Sequence, residues 1–129
     1  MKKLKKTHLR VIIGNPPYSI GQDSANDDNQ NLSYPVVDQR ITDTYAVKSS
    51  ANLKKALFDP YIKAFRWSSD RILDENGGIV AYITNGAWLH KPTFDGFRQQ
   101  IEEEFSSIYV LNLRGDIKAK DRESARREG

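Results

Sequence analysis

Two prolines stand directly after a short apolar run, and that junction limits the fold of this chain more than any other feature. Residues 9–13 read Leu-Arg-Val-Ile-Ile, a β-branched run that fits a buried strand. Gly14-Asn15-Pro16-Pro17-Tyr18 follows at once. Neither proline can donate to a strand ladder, so the chain must leave the sheet there. Two more apolar runs lie downstream, at residues 79–84 and 108–113, and both read as strands. The nearly continuous apolarity of residues 79–84 predicts burial on both faces.

Helical signals fill the space between these runs. Asp59-Pro60 has the form of an N-cap followed by proline at the first helical position. Tyr61, Ile62, Phe65, Ile72 and Leu73 then mark one face, and Asn76-Gly77-Gly78 supplies the left-handed stop. A shorter helical piece is expected over residues 52–58. Thr93 is placed to cap a helix whose core stripe is Phe94, Phe97, Ile101 and Phe105. Residues 34–50 carry mixed signals, with Asp43-Thr44-Tyr45 readable as a turn or a short helix. The order is strand, loop, helix, strand, helix, strand. Crossovers of that length imply parallel strands. The expected fold is therefore α/β, a partial doubly wound (Rossmann-like) sheet of about three mainly parallel strands with flanking helices. Ligands of such sheets bind outside the carboxyl ends of the strands, which is where Asn15, Pro16, Pro17 and Tyr18 fall.

The 129 residues allow one domain at most, or a piece of one. Residues 1–8 read as a basic lead-in, residues 9–115 as the folded part, and residues 116–129 as a charged tail or a segment without its packing partner. Residues 19–33 are almost free of large apolar side chains, a polar loop of functional or disordered length. Cysteine is absent, which excludes disulfides, thiolate metal sites and a cysteine nucleophile, and fits a cytoplasmic location. No apolar run approaches the roughly 20 residues that span a bilayer. Only Val11-Ile12-Ile13 follows the basic start, too few for a secretory signal. The net charge of +3 is a weak pointer to an anionic partner.

The chemistry rests on Asn15 to Tyr18. Chance supplies these four letters somewhere in such a chain at a rate on the order of a few in ten thousand. The plain alternative is a turn in which Asn15 caps, the prolines stiffen and Tyr18 packs. Pro16 and Pro17 fix their own φ, and the second restricts the first to extended geometry. The Pro16 carbonyl and the Asn15 side-chain oxygen are two acceptors held close together. They suit a planar NH2 group with two donors. Accepting both hydrogens draws the nitrogen lone pair out of conjugation and makes it a better nucleophile. Tyr18 adds a flat face on which a ring can stack. No metal site is expected: Asp23, Asp27 and Asp28 match no calcium loop, and His8 and His90 stand alone.

Asn15-Pro16-Pro17-Tyr18 resembles the target-amine motif of S-adenosylmethionine-dependent DNA adenine-N6 methyltransferases. The blocks Leu57-Phe58-Asp59-Pro60-Tyr61, Arg66 to Ile72, Gly77 to Asn85, Asp95-Gly96-Phe97-Arg98 and Leu113-Arg114-Gly115 resemble the methyltransferase region of large single-chain restriction–modification enzymes. The resemblance runs from about residue 9 onward. It implies that residues 9–115 are the C-terminal half of a methyltransferase catalytic domain. It also implies that Asn15 and the Pro16 carbonyl hold the amino group of a flipped adenine, with Tyr18 stacked on the base. DNA is then the partner.

The family's cofactor motif, a glycine-rich turn and a later acidic residue, lies upstream of the target motif. Residues 1–13 contain neither a glycine nor an acidic residue. No cofactor-binding residue is therefore expected here, S-adenosylmethionine belonging to the intact enzyme and its missing cofactor half. The chain reads as a fragment, inactive alone, whose open strand edges favour a homodimer. Two rivals remain: a glutamine-amide or RNA guanine-N2 methyltransferase fragment using the same four residues, and a non-catalytic interaction module.

Overall fold

A computed structural model describes residues 11–17, 33–73 and 76–113. The basic lead-in, most of the polar loop, Tyr18 and the charged tail lie outside the described residues.

Strand β1, Val11–Gly14, and strand β2, Ile79–Tyr82, form a parallel pair in which Val11 faces Ile79 and Gly14 faces Tyr82. The two expected strands and their parallel relation are thus present. The third is not. Residues 108–113 form no strand among the described residues. Ile108 and Val110 lie against a groove of about 420 Å³ whose walls include Trp88, Ile101 and Phe105. Tyr109 and Leu111 point away and are largely exposed. The alternation of a strand is there, but a ladder needs a neighbour to hydrogen-bond.

Between β1 and β2 the chain is helical. Helix α1, Pro35–Ile41, begins with proline at its first turn, and Asp38 reaches back to accept from the Tyr34 amide at 3.1 Å. It runs on into a π-helical stretch, Thr42–Ala46, so the ambiguous Asp43-Thr44-Tyr45 is helix and not turn. A 3-10 helix, Lys55–Phe58, falls inside the expected short piece. Helix α2, Pro60–Ile72, starts as expected: the Asp59 side chain accepts from the Tyr61 amide. Gly77 takes the left-handed φ of +61° before β2. Helix α3, Ala87–His90, is a single turn. Helix α4, Asp95–Glu104, enters through a 3-10 turn over Pro92–Phe94. Thr93 does not cap it: its hydroxyl donates to the Leu53 carbonyl at 3.1 Å. Asp95 holds the start of α4 instead, accepting from the Ser50 amide at 2.9 Å and the Gly96 amide at 2.6 Å.

The core forms where these helices meet. Ile41, Tyr45, Leu57, Tyr61, Ile62, Phe94 and Phe97 are buried together. The rings of Tyr45 and Phe97 meet edge to face at 5.0 Å, and Phe65 and Trp88 extend the cluster. Gly96 permits the close approach of α4: a Cβ there would lie 2.1 Å from the Tyr45 carbonyl. Arg66 is fully buried beneath this cluster, with both terminal guanidinium nitrogens paired and Nε left without a partner. It donates to Glu104 and to Asp70 at 2.8 Å each, and its guanidinium lies 5.2 Å from the Tyr45 ring centre. Arg40 shares Asp70 from α1 at 2.8 Å. Burial opposes the Asp70 charge, but the two arginines outweigh it and hold the carboxyl below its usual range.

The sheet does not meet the expectation of burial on both faces. Val80 and Tyr82 turn toward α2, where the Tyr82 ring packs on Phe65 and its hydroxyl bonds the Ser68 hydroxyl at 2.5 Å. Val11, Ile13, Ile79 and Ile83 are 53%, 77%, 60% and 68% exposed. The physical reason is that, among the described residues, helices cover only one side of this pair.

Candidate functional site

The end of β1 fixes the start of the motif. Gly14 is the last strand residue, and its carbonyl accepts from the Ile83 amide at 3.1 Å. A side chain at Gly14 would press on the Tyr82 ring, with a Cβ only 3.1 Å from it. Beyond Gly14 the ladder stops, as two prolines require. Asn15 is exposed, Pro16 is buried and Pro17 is exposed. The proline between the two surface residues is the anchor. Among the described residues Asn15 therefore stands exposed and unpartnered at the carboxyl edge of the sheet, on a backbone that is fixed on both sides. Tyr18 lies outside the described residues, so its face is not part of this geometry.

The turn after β2 lies at the same edge. Thr84 accepts a hydrogen bond from the Trp88 indole at 3.0 Å and donates to the Asn85 carbonyl at 3.0 Å. The Asn85 side-chain oxygen accepts from the Ala87 amide at 3.0 Å. Arg98 reaches from α4 to the Trp88 and Lys91 carbonyls, at 2.7 and 3.0 Å. The whole turn is thus tied to the helical core. Trp88 joins that core through Phe65 and Phe97. Asn85 follows the carboxyl end of β2 as Asn15 follows the carboxyl end of β1, so both leave the sheet at the same edge.

What surrounds this edge is a family resemblance with a definite outcome. Comparison with protein-family models matches residues 2–118 to the Eco57I restriction-modification methylase family. The chain belongs to this family. A comparison with curated proteins finds no match.

Solved structures agree with the family match. The ATP-dependent Type ISP restriction-modification enzyme LlaBIII bound to DNA is 43% identical, with a TM-score of 0.78 over 87% of this chain. The DrdV–DNA complex is 40% identical, with a TM-score of 0.71 over 81% of this chain. A nuclease-deletion mutant of the Type ISP enzyme LlaGI, in complex with a DNA substrate mimic, is 35% identical, with a TM-score of 0.72 over 81%. This chain spans only 10%, 7% and 10% of the DrdV, LlaBIII and LlaGI chains. At these identities the likeness extends from fold to sequence.

Proposed function

We propose that the intact enzyme carrying this chain is a DNA adenine-N6 methyltransferase of a restriction–modification system, and that Asn15, Pro16, Pro17 and Tyr18 receive the target adenine. The observation that carries this reading is the exposure of Asn15 at the carboxyl edge of β1 while Pro16 is buried. An acceptor held in that way is ready before the base arrives, so little ordering entropy is lost on capture. Asn15 and the Pro16 carbonyl accept from the two amine hydrogens and free the nitrogen lone pair for attack. Tyr18 stacks on the flipped base.

S-adenosylmethionine supplies the methyl group in this reading and is held by another part of the enzyme. Residues 9–115 contribute the half of the catalytic domain that receives the base. The DNA complexes of DrdV, LlaBIII and LlaGI support DNA as the partner. The exposed sheet residues support self-association of the chain when it stands alone. A cytoplasmic site of action accords with a DNA substrate; no helix among the described residues is long and apolar enough to cross a membrane.

The test is Asn15→Ala in the intact enzyme. Methylation of adenine in duplex DNA should be lost while S-adenosylmethionine still binds. Full methylation by that variant would end the proposed role of the motif.

A further inference from the structure

Asn15 has a counterpart beyond the neighbouring strand. In the parallel register Val11, Ile13 and then Asn15 share one face of the sheet with Ile79, Ala81 and Ile83. β2 ends at Tyr82, and Asn85 follows three residues on in the turn that leaves the same carboxyl edge. Ile83, whose amide donates to the Gly14 carbonyl, is exposed at that edge.

The two amides are set for opposite tasks. Asn15 is free to accept. Asn85 has its oxygen committed to the Ala87 amide at 3.0 Å, which fixes the rotation of the side chain. That leaves the Asn85 NH2 group as a donor, and it has no partner among the described residues. The turn around it is held by the Trp88–Thr84 bond and by Arg98. Asn85 is half-buried, so its donor is partly shielded from water. A half-buried donor with a fixed direction and no protein partner is suited to a ligand acceptor.

We propose that Asn85 is a base-binding residue whose side-chain NH2 group donates to a ring nitrogen beside the amine that Asn15 holds. This rests on the target-base reading of Asn15. Adenine has the matching pattern on either edge, since its amino group is flanked by the acceptors N1 and N7. Guanine carries an oxygen in place of the amine, which mismatches Asn15 on either edge, and on the N1 edge its ring hydrogen would also meet the Asn85 donor. The pair Asn15 and Asn85 therefore reads a donor next to an acceptor, with Ile83 as apolar surface at the same edge.

The experiment uses the intact enzyme and duplex DNA in which the target adenine is replaced by 1-deazaadenine or 7-deazaadenine. Each analogue lacks one ring acceptor and keeps the amine. Asn85→Asp keeps the oxygen that caps the turn and removes the donor; Asn85→Ala removes both. On adenine DNA both variants should lose about tenfold in kcat/KM, the scale of one hydrogen bond to a buried donor. Wild type should lose a similar factor on one of the two analogues, and Asn85→Asp should lose nothing more on that same analogue. Losses that multiply on both analogues, or wild-type kcat/KM in Asn85→Asp, would overturn the role of Asn85. Asn15→Ala, measured in parallel, separates the two readings. If it is inactive while Asn85→Asp is normal, only the Asn85 inference fails; if it is fully active, the target-base reading fails as well.

Discussion

Ile41 and Ile62 in the helical body are completely buried, while Ile13 and Ile83 on the sheet are mostly exposed. The residue type is the same and the outcome is opposite. Burying an isoleucine side chain contributes about 1.5–3 kcal/mol, and the helical body collects that contribution many times over. The sheet collects it on one face only. The helices around Tyr45, Phe97 and Arg66 make a core that closes on itself. The two strands act as a ledge on that core, held by Tyr82 against Phe65 and Ser68. The candidate site lies on the ledge, at the edge where both strands end. Among the described residues, the candidate site is thus supported from one side by a packed body and stands open on the other.

The largest effect should come from breaking the body. Phe97→Ala removes the ring that Tyr45, Phe65 and Trp88 share, and should cost about 3–5 kcal/mol. Gly96→Ala should act similarly, because its Cβ cannot coexist with the Tyr45 carbonyl. Urea unfolding followed by circular dichroism checks both; a wild-type midpoint in either would contradict the packing described.

Acid should weaken the same body by a smaller amount. Hydrogen bonds from Ser50, Ser49 and Gly96 hold the Asp95 carboxyl well below its ordinary range, and the net effect at Asp70 is also downward. A carboxyl lowered in the folded state stabilises it above the unfolded value of about 3.9, and that contribution is lost as pH falls through the folded value. The unfolding midpoint should therefore be level from about pH 7 to 5 and fall below about pH 4. Asp95→Asn should flatten part of that fall. A midpoint that declines already near pH 6 would point to other groups.

The smallest effect on folding should come from the sheet. Ile13→Thr changes a side chain that is 77% exposed and should shift stability by no more than about 0.5 kcal/mol. The same substitution should reduce self-association of the isolated chain, as read by light scattering at micromolar concentration. A large loss of stability from Ile13→Thr would mean that the sheet contributes as much as the body, and the contrast between the two would fail.

Much of this division was legible in the residues. Asp59-Pro60 opened α2, Gly77 turned the chain into β2, and the β-branched runs before Asn15 and before Asn85 became the two parallel strands. These signals are local: a cap, a positive φ and a period of two act within a few residues. The Eco57I-type family was legible too, because its motif is a contiguous string. Thr93 was misread, since its hydroxyl prefers the Leu53 carbonyl, a partner 40 positions away. Residues 108–113 have strand composition but no strand to pair with among the described residues, and strand formation requires a partner that composition does not supply. The π-helical turn at Thr42–Ala46, the approach of Gly96 to the Tyr45 carbonyl and the burial of Arg66 between Asp70 and Glu104 were likewise decided in three dimensions. So was the meeting of the Asn15 and Asn85 turns at one sheet edge, because strand register joins residues 68 positions apart that no periodicity within either segment could relate.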